Sequence, residues 1–211
     1  MQGKSSDSSL ANGNAPKLQL GCFDQALDGW TNTDVTPHLF VARVPGLASM
    51  LWRMGLMAAL RYDQHRQGIF RRVRYMNVTR RFPFKDSSFA FVYTSHMLEH
   101  LVPSDAEFCL REVNRVLRPG GVLRILVPDL DDLVRRFRPD QADHFVEELF
   151  ESRQKNAKNR HHWHYNETSL SGLLRAVGFA DVQRCAFRQG RCPDLDRLDI
   201  RPQSLFVEAT R

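Results

Sequence analysis

This chain has little that points to staples, membranes or repeats. It has four cysteines, Cys22, Cys109, Cys185 and Cys192, among 211 residues, and they form no CxxC pair. Neither a disulfide framework nor a thiolate metal site is expected, and a reducing cytoplasm suits such thiols. The most apolar stretch, Leu47 to Leu60, is too short for a bilayer span and carries Arg53, so no membrane span is expected. The first sixteen residues are polar, rich in Ser, Asn and Gly, and lack the apolar core of a secretion signal. Residues 1–16 therefore read as a disordered tail. No internal repeat is visible. Basic residues do not interleave with aromatics as they do in nucleic-acid modules, so the net charge of +6 reads as a solvated basic surface and no nucleic-acid partner is expected.

What is present is an ordinary globular composition, 42% hydrophobic and 26% charged, long enough for one domain over 17–211 with a core of its own. The organising stretch is Lys17 to Asp34. The alternation of Leu18 and Leu20 reads as a buried strand broken by Gly21, and Asp34 follows thirteen residues later at the end of a second short apolar segment. A strand, a glycine turn and a strand-terminal carboxylate are the parts of a nucleotide site. The glycine lets backbone approach the ligand, and the carboxylate accepts from ribose hydroxyls.

Further along, Val35-Thr36-Pro37 reads as a strand exit. Apolar positions from Gly46 to Gln64 recur at helical spacing, and this Met-rich face is expected to pack on the core or another helix. Strands are expected at Val73 to Val78, at Phe89 to Thr94 (doubly buried), and at Val122 to Val127. A helix is expected over Ser104 to Leu117, with Ser104 and Glu107 as a capping box. Leu130 to Phe137 and Gln141 to Glu151 read as helices, Ser152 to Arg160 as a loop, and Thr168 to Val177 as a helix stopped by Gly178. Val182 to Arg188 and Ser204 to Ala209 close the chain as an antiparallel pair. Alternating strands and helices imply an α/β fold: a mainly parallel sheet, helices on both faces, with the ligand at the carboxyl ends of the strands. Those ends are Gly21-Cys22, Asp34, Asn77, Ser95-His96 and Pro128-Asp129.

Taken together, LQLGC…GWTNTD, FPFKDSSFAFVYTSHMLEHL, LREVNRVLRPGGVLRILVPDL and LLRAVGF resemble the class I S-adenosylmethionine-dependent methyltransferases. The resemblance is closest to the small bacterial branch associated with surface-polysaccharide biosynthesis. It covers roughly residues 17 to 210 and implies a Rossmann-like seven-stranded sheet with a C-terminal antiparallel hairpin. It also implies S-adenosyl-L-methionine as cofactor and a small-molecule or glycan-linked acceptor, such as a sugar hydroxyl. By position, Gly21 and Cys22 would lie against the methionine part of the cofactor and Asp34 on the ribose. Asn77 and Val78 would border the adenine, and Ser95 and His96 would floor the transferred methyl. Three positions depart from the family pattern: Phe23 stands where a second glycine is usual, and Asn77 and Ala90 where aspartates are usual. These departures favour the alternative of a catalytically silent, methyltransferase-like binding protein. Gly21, Asp34 and the histidines favour the enzyme.

Methyl transfer needs alignment and, for a hydroxyl acceptor, a base. His96 and His100 are candidates, at i and i+4 if SHMLEHL begins a helix. His100 reads better as a structural hydrogen bond to a loop, and Glu99 as a surface charge. The run His161, His162, Trp163, His164, Tyr165 is compositionally unusual, and His162 and His164 are substrate-side candidates. As a metal site the run is poor, because adjacent histidines point apart and no carboxylate stands at ligand spacing; no metal is expected. Asp129 reads as a helix N-cap, and the arginines from Arg71 to Arg81 as a solvated strand edge.

Overall fold

A computed structural model describes residues 15–151 and 160–211. The tail expected over 1–16 lies almost wholly outside the described residues, as does the loop expected from Ser152 to Arg160. The chain runs β1 (Lys17–Leu20), β2 (Thr31–Asp34), α1 (His38–Arg43), α2 (Leu47–Arg53), α3 (Ala59–Arg66), β3 (Val73–Tyr75), β4 (Phe89–Ser95), α4 (Pro103–Val116) and β5 (Leu117–Pro128). It continues through α5 (Leu130–Arg136), α6 (Ala142–Phe150), α7 (Glu167–Ala176), β6 (Ala180–Cys185), α8 (Leu195–Leu198) and β7 (Ser204–Thr210). The sheet order is β3-β2-β1-β4-β5-β7-β6. The first five strands are parallel, and β7 pairs antiparallel with both β5 and β6. The order reverses at β1 and β4, which opens a crevice where their carboxyl ends diverge.

The sheet is wholly buried at its centre. On one face Leu18, Leu20, Val92, Leu123 and Ile125 pack with Leu110 and Val113 of α4 and Leu170 and Leu174 of α7. On the other, Tyr93, Val122, Leu126 and Phe206 pack with Trp30, Leu195 and Leu198. A third cluster, Cys22, Leu39, Phe70 and Val73, joins α1 to the β3 edge. Arg124 of β5 is buried in an ion pair with Asp199 at 2.5 Å. It also donates to the carbonyls of Gln189 (2.8 Å) and Ala186 (3.2 Å).

Several local expectations are corrected. The helix expected from Gly46 to Gln64 is two, α2 and α3, parted around Gly55. Neither buries a residue, and Met50 and Met54 are exposed, so the methionine stripe is surface. Val35-Thr36-Pro37 is the strand exit expected, and α1, where no element was expected, starts directly after it with Pro37 as N-cap. The capping box at Ser104 is absent. Pro103 takes the first helical position and starts α4 one residue earlier, with Val102 as an uncapped N-cap, and Glu107 pairs with Arg111 instead. The strand at 73 stops at Tyr75. β5 begins early at Leu117 and takes in the Pro-Gly-Gly turn through a bulge opposite Phe89 and Phe91. There a Cβ on Gly121 would stand 2.9 Å from the Arg118 carbonyl oxygen.

Candidate active site

The rim at the strand ends is built first by β1 and β2. Gly21 turns the chain at φ 62°, and a Cβ there would meet Met97 Cγ at 2.6 Å. The Cys22 amide donates to the Thr33 carbonyl at 3.1 Å, which locks the β1 exit beside β2. The Cys22 thiol is buried, and burial, then the Asp34 charge, pushes its pKa well above the ordinary thiol value. The thiol is therefore a core group, and Cys22 contributes its backbone to the rim. Asp34 is half-buried. Its Oδ2 accepts from the Phe23 amide at 2.9 Å and its Oδ1 from the Thr36 amide at 2.7 Å. A carboxylate offers about four acceptor positions, so each oxygen keeps one for a hydroxyl ligand. The Met76 amide donates to the Asp34 carbonyl at 3.0 Å, which brings Asn77 and Val78 beside it. Asn77 Oδ1 accepts from the Thr79 amide and hydroxyl, both at 3.0 Å. Val78 leans on the main core.

Phe23 has a left-handed φ of 45°, the conformation for which glycine is suited. Its ring centroid lies 6.1 Å from both His38 and Phe70. The Arg61 guanidinium sits 4.5 Å above it, held by Asp24 at 2.6 Å. The ring is thus gathered among α1, α3 and Phe70. A left-handed glycine, a carboxylate with open acceptor positions and a neighbouring amide together fit a nucleoside bearing an amino-acid arm, which is the chemistry of S-adenosylmethionine.

The second half of the site follows β4. Beyond Ser95, His96 turns left-handed at φ 49°, with its amide donating to the Leu126 carbonyl at 2.9 Å. His96 Nε2 lies 2.8 Å from Ser204 Oγ at the start of β7. His96 Nδ1 lies 3.1 Å from Glu99 Oε1, an ion-pair contact without hydrogen-bond alignment. No helix begins here. Leu98–His100 is a single 3-10 turn, so the i, i+4 pairing of His96 and His100 does not arise. Glu99, expected on the surface, is 0% exposed, and neither carboxylate oxygen has a hydrogen-bond partner among the described residues. Its carbonyl accepts from the amides of His162 (2.8 Å) and Trp163 (3.2 Å), which draws the distant 161–165 segment onto it.

His100 Nδ1 contacts the Arg160 carbonyl at 3.1 Å, the loop hydrogen bond expected of it. His161 is buried. Its Nδ1 is unpartnered, its Nε2 faces Glu151 at 3.7 Å, and burial lowers its pKa. The His161 ring lies 5.1 Å from the rings of both His100 and His164. His164 Nε2 contacts the Leu149 carbonyl. The His162 side chain is exposed. Burial, with the Glu99 charge beside it, raises Tyr165 to about 12. Asp129 caps α5, accepting from the Asp131 amide at 3.1 Å.

The strand-end residues Gly21, Cys22, Asp34, Asn77, Val78, Ser95 and His96 thus share one rim, and His164 joins the cluster beside it while the His162 side chain does not. Glu99, His161 and Ser204 are site residues that sequence reasoning missed. For Glu99 the signal was its place inside the LEHL motif.

Residues 53–125 match the protein family described as a methyltransferase domain. Solved structures with a similar fold include a SAM-dependent methyltransferase of Methanosarcina mazei, 17% identical over 96% of this chain and 94% of that one, with a TM-score of 0.54. A SAM-dependent methyltransferase of Archaeoglobus fulgidus is 14% identical over 94% and 87%, with a TM-score of 0.53. Another from Thermotoga maritima is 17% identical over 93% and 82%, with a TM-score of 0.51. At these identities the structures establish the Rossmann-like methyltransferase fold. The domain match covers residues 53–125, about a third of the chain, and together with these folds it supports a methyltransferase that uses S-adenosylmethionine. Among the described residues no helix is long and apolar enough to cross a membrane.

Proposed function

We propose that the chain, as one domain over 17–211, methylates a hydroxyl of a sugar or other small acceptor, with His96 as the base. The supporting observation is the mounting of His96. It stands where β4 leaves the sheet, one residue from Ser95 on the cofactor rim, with one ring nitrogen on a fully buried carboxylate and the other on a serine hydroxyl. The carboxylate beside Nδ1 and the Ser204 hydroxyl beside Nε2 hold the ring in place at the β4 exit. Gly21, Cys22, Asp34, Asn77, Val78 and Ser95 border the cofactor in this reading. The cofactor supplies a methyl carbon made electrophilic by a sulfonium. The chain's own tasks are to align the acceptor oxygen behind that carbon and to take its proton on the His96 imidazole as the oxygen–carbon bond forms. His164, fixed inside the cluster, shapes the acceptor side, and exposed His162 lies at its lip. A cytoplasmic setting suits the free cysteines, and a place in surface-polysaccharide synthesis is what the family resemblance implies. Phe23, the strongest argument for a silent binding protein, has its ring packed among His38, Phe70 and Arg61, and this favours the enzyme.

The test is His96→Asn, since asparagine tolerates the left-handed φ. Cofactor binding by calorimetry should persist while turnover on a panel of sugar hydroxyls falls by roughly 100- to 10,000-fold, the usual worth of a positioned base. Unchanged turnover would remove His96 from the mechanism.

A further inference from the structure

Glu99, His100 and His161 each offer a ligand atom within 4.8 Å of the others. We infer that these three residues form a binding site for a divalent transition-metal ion beside the acceptor position. Two observations independent of that spacing point to a missing ligand. Glu99 is fully buried with both oxygens lacking a hydrogen-bond partner, and His161, 8% exposed, has a buried Nδ1 without one. The ionisable neighbour of Glu99 at the β4 exit is His96, with Nδ1 at 3.1 Å; burying a carboxylate without hydrogen bonds is costly, and a cation bound to its oxygens would offset that cost. The outer contacts are those of a mounted metal site. His100 turns Nδ1 to the Arg160 carbonyl, which leaves Nε2 for a metal, and His161 turns Nε2 toward Glu151. A backbone carbonyl on the far nitrogen orients the His100 ring for a metal, and the Glu151 charge at 3.7 Å lies on the far side of His161.

Two imidazoles and one carboxylate favour zinc, manganese, iron or cobalt over magnesium or calcium, which take oxygen ligands. Three protein ligands leave coordination positions open, as at catalytic rather than structural zinc sites. His96 Nδ1 stands 3.1 Å from Glu99 Oε1, so the site adjoins the His96 ring on its Nδ1 side. An ion held by Glu99, His100 and His161 would supply Lewis acidity that lowers the pKa of an acceptor hydroxyl reaching it. The hydroxyl proton passes to His96, the oxygen–carbon bond forms, and the carbon–sulfur bond breaks to leave a neutral thioether. This role rests on the methyl-transfer reading; the site itself does not. The expectation of no metal considered the histidine run alone. The carboxylate and the second imidazole come from about sixty residues earlier in the chain and arrive through the Glu99 carbonyl's bonds to the 162 and 163 amides.

The experiment is calorimetric titration of the chelator-treated full chain with Zn²⁺, for wild type, His161→Ala, Glu99→Gln and the exposed-histidine control His144→Ala. One ion per chain is expected in wild type and in the control, with affinity reduced by about 100-fold or more in the two site variants. If Glu99→Gln fails to fold, His161→Ala decides. Absence of stoichiometric uptake, or wild-type affinity in the site variants, overturns the site. A parallel titration with S-adenosylmethionine separates the two claims. Cofactor binding without zinc binding removes the metal alone, and zinc binding without cofactor binding removes the methyl-transfer reading alone.

Discussion

Gly21 shows how much one residue carries. Its left-handed φ of 62° and the 2.6 Å gap to Met97 Cγ leave no room for a side chain. Gly21→Ala should lower unfolding free energy by about 1–2 kcal/mol from backbone strain alone, and more if Met97 cannot shift. It should also weaken S-adenosylmethionine binding, because the exit of β1 must move. Chemical denaturation and calorimetry read both effects, and wild-type values in both would show that the turn is not a constrained cradle. At this scale the sequence was legible where chemistry is local. Gly21 could be read as a chain turn and Asp34 as a strand-end carboxylate because each acts through its own backbone or charge. Glu99 could not be read that way. Its burial comes from the amides of His162 and Trp163 lying on its carbonyl, and no window around LEHL contains them. Phe23 was also opaque, because its departure from glycine is accommodated by Phe70, His38 and Arg61 far along the chain.

Among the elements, β5 carries a cost that its apolar pattern hides. Arg124 lies mid-strand at 0% exposure, 2.5 Å from Asp199 and 3.6 Å from Glu208, both wholly buried. The Asp199 carboxylate also accepts from the Arg188 amide, and Glu208 from the amides of Arg191 and Cys192. The guanidinium therefore ties the 186–199 connection to the sheet centre. Arg124→Ala leaves two buried carboxylates facing an empty space and should destabilise the fold by about 3–5 kcal/mol. Equilibrium denaturation measures this, and a loss near zero would mean the pair is solvated in solution. The strands were legible because doubly buried runs such as FAFVYT and VLRILV carry a strong β signal. The helices of 38–66 were misread because they cover the sheet edge without burying a continuous face of their own. Helical spacing of methionines in α2 marked helix correctly but not burial. Local competition decided the cap of α4, where Pro103 displaced Ser104 from the first turn's boundary.

For the molecule as a whole, strand order decides what the parts can do. With β1 between β2 and β4, Gly21, Asp34, Asn77 and His96 all leave the sheet on one rim, although they span seventy-five residues of sequence. The short β1–β2 connection leaves no helix of the usual kind between them, and α1 to α3 gather at the β3 edge instead, where Phe23 and Cys22 are anchored. The alternation of strands and helices foretold this architecture and its C-terminal antiparallel pair, because right-handed crossovers leave few alternatives. The histidine and carboxylate cluster was out of reach, since it forms only when α7's leading segment is laid against the β4 exit. The most direct measurement is calorimetric titration of the folded chain with S-adenosylmethionine, for wild type and for Asp34→Ala checked by thermal unfolding. Micromolar binding that Asp34→Ala abolishes is the predicted result. No binding up to millimolar concentrations, in a chain shown to be folded, would contradict the placement of the cofactor on this rim.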